Sequence, residues 1–94
     1  MPITLSVRHR RAIRDSACFL CLASQHFWTD PLAQAQVAYA HQLGKPFRVL
    51  LLRGTRVPED AFQGVTDLQI VPSRGAEADV RQVKMWMAEL AERS

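Results

Sequence analysis

Between an apolar run and a proline that can open a helix, the chain reads Ser24-Gln25-His26-Phe27-Trp28-Thr29-Asp30. Two hydroxyls, two large rings and a carboxylate so close together can hold a small polar ligand, the rings against its flat face and the polar atoms fixing its orientation. If Pro31 starts a helix, the free amides of that first turn add a place for an anion. Further along the same helix stands Gln36, on a face shared by Leu32, Tyr39, Ala40 and Leu43 at helical spacing. A buried amide must find partners or lose roughly 1–3 kcal/mol, so Gln36 implies a hydrogen-bond network or a ligand. A bond to the neighbouring loop backbone would satisfy it equally well. Trp28 can stack on a base or pack against the last helix, whereas Trp86 reads as core.

Other chemistries find little support. Cys18 and Cys21 form a CxxC spacing inside Ala-Cys-Phe-Leu-Cys-Leu-Ala. A metal site would need two further soft ligands at matching spacing, and there is no second pair, so no metal is expected and the cysteines read as small core hydrophobes. His9, His26 and His41 are scattered, no serine sits in a nucleophile-elbow pattern, and the four glycines are spread from 44 to 75. Without a Gly-rich phosphate loop, dinucleotide binding of the usual Rossmann kind is not expected.

These residues need elements to position them. Val7–Asp15 is a helix candidate ending at Ser16. Residues 17–23 are a continuous apolar run of strand length, bounded by polar residues, and predict a central strand covered on both faces. Thr29 or Asp30 can cap a helix over 30–43 with Pro31 in its first turn and Gly44 as its stop. Residues 47–52 read as a second buried strand, 58–62 as a short helical turn, and 68–71 as a third strand. Gly75 precedes a last helix, Ala76–Glu92, with Val80, Val83, Met87 and Leu90 as its apolar stripe. Strands alternating with helices predict a small three-layer α/β sandwich, a mostly parallel sheet of three to five strands flanked by helices. In such sheets ligands bind beyond the carboxyl ends of the strands, which is where the Ser24–Asp30 loop begins.

With 94 residues, 48% hydrophobic and 22% charged, the sequence describes one domain, 1–94. Its longest apolar run falls short of the roughly 18–20 residues of a membrane span, and its arginines follow rather than precede the first apolar stretch, so neither a membrane span nor a secretory signal is expected and the cytoplasm is the expected location. The net charge of +3 divides unevenly: residues 1–56 hold eight basic and two acidic residues, and 57–94 hold four and seven. Arg8, Arg10, Arg11 and Arg14 form the densest basic cluster, either a solvated helix face or a dock for an acidic partner. No aromatics interleave with these arginines as in single-strand readers, which argues against nucleic acid.

The stretch Asp30-Pro31-Leu32-Ala33-Gln34-Ala35-Gln36-Val37-Ala38-Tyr39-Ala40-His41-Gln42-Leu43-Gly44-Lys45-Pro46 resembles nucleoside 2-deoxyribosyltransferase-like proteins, which run Asp-Pro-Gly-Thr-Ala-x-Glu-x-Gly-Tyr-Ala-x-x-Leu-Gly-Lys-Pro. It also resembles Toll/interleukin-1 receptor (TIR) domains, in which a strand ending in Ser is followed by an aromatic loop, a helix with Glu-Leu-x-x-Ala, Gly-Lys-Pro and an apolar strand. The resemblance covers about half the chain, residues 13–57, and implies a Rossmann-like, flavodoxin-like fold. Both families break or exchange an N-glycosidic bond and set a glutamate of this helix against the ribose. A carboxylate suits the positive, oxocarbenium-like transition state. Gln36 stands at that position, with Asp30 the nearest substitute acid.

What the resemblance implies is therefore a self-associating module that recognises a nucleotide or NAD derivative through Ser24, Phe27, Trp28 and Tyr39, needs no cofactor and is weak or inactive as an enzyme. The alternative is an N-glycosidase or deoxyribosyltransferase disabled by a Glu→Gln change at 36. TIR domains also carry a first strand and helix with no clear counterpart before Val7. Residues 1–6 can supply only a strand stub, so the expectation is either a homodimer that covers the exposed sheet edge or a reduced nucleotide site. A small basic adaptor docking through the four arginines is a third possibility.

Overall fold

The computed structural model describes residues 5–93. Three helices and three strands follow in the order α1 (Val7–Asp15), β1 (Phe19–Ala23), α2 (Pro31–Gln42), β2 (Phe47–Leu51), β3 (Leu68–Pro72) and α3 (Ala76–Glu92), with a 3-10 turn, Gln25–Thr29, between β1 and α2. The strands form one parallel sheet in the order β1-β2-β3, with Phe19 opposite Phe47 and Phe47 opposite Leu68. This is an α/β fold with helices on both faces of a parallel sheet.

Strand alternation divides the sheet residues between two layers. Phe19, Cys21 and Ala23 of β1, with Phe47 and Val49 of β2, belong to the main core together with Ile13, Val37, Ala40 and Phe62. On the opposite face lie Leu20, Leu22, Arg48, Leu50 and Gln69, and there α3 buries Trp86 and Leu90.

The helix ends follow the expected chemistry. Ser6 Oγ accepts from the His9 amide and starts α1, and Asp30 Oδ1 accepts from the Leu32 amide at 3.0 Å to start α2 behind Pro31. Gly44, at φ +70°, stops α2. Its amide donates to His41 O and the Lys45 amide to Ala40 O, the paired bonds of a Schellman cap.

Four expectations need correction. The 17–23 run is an edge strand, and β2 is central; an all-apolar run signals burial of both faces, yet Leu22 is 62% exposed. Residues 58–62 form turns closed by Ala61 N–H to Pro58 O and Gln63 N–H to Asp60 O, not a helical turn. On α2 Ala40 is buried and Tyr39 packs against the core as expected, but the other buried residue is Val37, and Leu32 and Leu43 face solvent. On α3 they are Trp86 and Leu90, with Val80 and Met87 exposed. Of the strand stub expected over 1–6, residues 1–4 lie outside the described residues.

Candidate functional site

The loop after β1 folds as a 3-10 turn because Ser24 O accepts from the Phe27 amide at 3.0 Å and Thr29 Oγ1 donates back to His26 O. That tight turn sets two rings side by side. Phe27 and Trp28 meet edge to face at 5.1 Å between centroids, Trp28 meets Phe62 at 5.8 Å, and Phe62 meets Phe47 at 5.7 Å. Such pairs add about 0.5–1.5 kcal/mol each beyond their buried area, so the aromatic chain anchors the loop to the sheet. Trp28 therefore packs on Phe62 of the β2–β3 connection and not on the last helix.

One wall of a small cleft is Trp28. The cleft measures about 220 Å³ and is completed by Gln34, Pro58, Asp60 and Ala61. Gln34 is held in place by α2 and by its own amide, whose Nε2 donates to Phe27 O at 2.8 Å. That bond uses one of the two amide N–H donors, and Gln34 and Asp60 give the lining its polar character. The volume lies below the roughly 300–1,000 Å³ of sites for drug-sized ligands and suits a single ring. Nearby, Gln25 Oε1 accepts from the Arg56 amide at 3.2 Å, tying the loop after β2, which carries the exposed Arg53 and Arg56, to the 3-10 turn. The Trp28 indole N–H is enclosed and has no acceptor among the described residues, a penalty of about 1–3 kcal/mol carried at the cleft wall.

The residues singled out in the sequence fall into two groups. Phe27 and Trp28 come together with the cleft. Ser24 caps the 3-10 turn without a side-chain bond, and Asp30 lies exposed at the start of α2. Because the Asp30 carboxylate already accepts from Leu32 N–H there, it occupies part of the place an anion would take and repels one. Tyr39 packs half-buried against the core. Gln36 is half-buried, makes no side-chain hydrogen bond to a described group, and is not part of the lining of the Trp28 cleft. At about 100° per residue it sits roughly 200° round α2 from Gln34, so the two amides serve different faces. Gln34 and Asp60 were missed in the sequence. A polar residue near a helix start carried only a weak signal for the first, and nothing local marked the second, whose place depends on how the β2–β3 connection folds back.

Elsewhere the fold buries charge. Arg48 on β2 is fully buried, with Nη1 donating at 2.9 Å to both Phe47 O and Asp67 Oδ1. Asp67 also accepts from Arg93 at 2.6 Å, and these bonds, Arg48 first, hold its carboxyl below the usual range. Arg48 Nε and Nη2 have no hydrogen-bond partner among the described residues. Both cysteines are buried and free, as small core residues would be. Burial, reinforced by Cys18, pushes the Cys21 thiol up to about 12, and burial raises Cys18 although the Arg48 charge opposes it. Neither thiol is a nucleophile near neutrality. The described residues hold no group of three or more His, Cys, Asp or Glu placed to hold a metal ion, and no described helix is long and apolar enough to cross a membrane.

Comparison with protein-family models, with curated proteins and with solved structures finds no match in any of the three. The likeness to TIR-like and deoxyribosyltransferase-like proteins thus rests on the quoted residues alone.

Proposed function

We propose that this chain is a nucleotide-recognising module of the TIR-like and deoxyribosyltransferase-like kind, which takes the ribose of a nucleoside, nucleotide or NAD derivative into the cleft beside Trp28 without turning it over. The observation that carries this reading is the pairing of Trp28 with two polar side chains, Gln34 and Asp60, in a space of about 220 Å³. A sugar ring presents C–H faces to an indole and hydroxyl donors to a carboxylate, and a ring is what the volume suits. Arg53 and Arg56, on the loop tied to the 3-10 turn, supply positive charge for attached phosphates. The free cysteines suit a reducing compartment such as the cytoplasm.

Absence of turnover follows from the same residues. A neutral amide at 36 offers neither a nucleophile nor the fixed negative charge that an oxocarbenium-like transition state favours, and it lies round the helix from the cleft. Calorimetric titration with NAD, ADP-ribose and deoxynucleosides tests the proposal. Saturable binding of at least one ligand, abolished by Asp60→Asn, is expected, and silence across all of them overturns it. The disabled-enzyme alternative predicts nicotinamide release from NAD by Gln36→Glu and none by the native chain.

A further inference from the structure

We propose that two copies of this chain join through their β1 strands into one continuous six-stranded sheet, with β1 running antiparallel to β1 across a two-fold axis. The first observation is the edge itself. Among the described residues β1 pairs with β2 alone. Its sequence, Phe-Leu-Cys-Leu-Ala, has none of the charges, prolines or bulges that guard natural edges, whereas β3, at the other edge, contains Gln69 and ends in Pro72.

The second observation is the surface continuous with that edge. Leu20, Leu22 and Leu50 form, with Val80 and Val83 of α3, an apolar groove of about 480 Å³, in which Leu22 is 62% and Val80 52% exposed. Its only charged lining residues are Asp79 and Lys84, one of each sign. Contiguous exposed apolar surface of this kind marks an interaction site.

The occupant follows from register. The Phe19 amide donates to Pro46 O and Ala23 O accepts from the Leu52 amide, so odd-numbered residues of β1 turn their backbone groups to β2, and Leu20 and Leu22 turn theirs outward. A two-fold axis at Cys21 then sets Leu20 opposite Leu22 of the second copy, and Leu22 opposite its Leu20. Both pairs exchange N–H and C=O bonds, and the exposed leucines cover one another across the groove. On the core face the same register places the large Phe19 opposite the small Ala23. A segment of five residues that satisfies its own outward groups and covers its own exposed side chains is complementary to itself, as a two-fold contact requires. This surface is separate from the Trp28 cleft, so failure of either proposal leaves the other standing.

Sedimentation equilibrium on the full chain tests this inference. A dimer is expected for the native chain and for Met85→Lys, which places a charge on exposed apolar surface outside the groove. Leu22→Lys and Leu20→Lys are expected to be monomeric with unchanged circular dichroism. In the native dimer the Leu20 and Leu22 amides exchange slowly with solvent, and in the Leu22→Lys monomer quickly. A monomeric native chain, a dimer that survives both lysine variants, or a dimer whose Leu20 and Leu22 amides exchange freely overturns it.

Discussion

Asp67 balances the charge buried in the second layer of the sheet. Arg48 lies fully inside, and among the described residues its only carboxylate partner is Asp67, which also takes Arg93. Removing one partner of a buried pair costs on the order of 3–5 kcal/mol, and because the Asp67 side chain is 35% exposed, water screening places Asp67→Asn near the lower end. Replacing Arg48 by methionine is expected to cost less than Asp67→Asn, because it removes the buried charge itself, whose Nε and Nη2 find no partner among the described residues, and leaves Asp67 partly exposed and still paired with Arg93. The pH dependence follows from the same contact. A carboxyl held below its ordinary value near 4 contributes stability above that pH, and loses it as pH falls through the lowered value. Thermal melts from pH 6 downward should show an acid-side loss that Asp67→Asn lacks. The sequence showed Arg48 only as an exception within an apolar strand; its partner lies across sixteen residues of irregular connection. The amides of α2 illustrate a similar limit. Spacing alone put Gln36 on the inner face with Leu32, Tyr39, Ala40 and Leu43; Ala40 and Tyr39 do pack on the core, but the helix turns Val37 inward rather than Leu32 and Leu43 and brings Gln34 to the cleft.

Element ends were legible where a local bond fixes them. Pro31 behind Asp30, and Gly44 before Lys45, define α2 because cap and Schellman bonds need only residues within one turn. Strand position was less legible. Whether an apolar run is central or at an edge depends on what packs beside it, and Leu20 and Leu22 carry the same side chains in either place. The irregular β2–β3 connection offers an element-scale test. Gly64 has φ +86°, and a Cβ there would lie 3.1 Å from two ring atoms of His41. Gly64→Ala is expected to lower stability by about 1–3 kcal/mol in urea unfolding, and the additional His41→Ala change should recover only part of it, since the backbone strain persists.

Over the whole molecule, charge is divided by layer. The α1 helix, packed with α2 on the core side, exposes Arg8, Arg10, Arg11 and Arg14, while α3 on the other side carries Glu77, Asp79, Glu89 and Glu92 against Arg81 and Lys84. The parallel α/β architecture was readable from alternating strand and helix signals, whereas the cleft was not, because its lining comes from three separate segments that only the folded chain brings together. Replacing Trp86, fully buried with its indole bonded to Gln69 Oε1 at 2.7 Å, by alanine is expected to cost about 3–5 kcal/mol by calorimetry, a loss large for so small a domain. The two tryptophans also provide the most direct test of ligand recognition, since Trp28 lines the cleft and Trp86 does not. In a nitrogen-15 correlation spectrum titrated with ADP-ribose, the indole resonance of Trp28 is predicted to move saturably while that of Trp86 stays fixed. Two unmoved indole resonances at saturating ligand, or a shift confined to Trp86, would contradict recognition at this cleft.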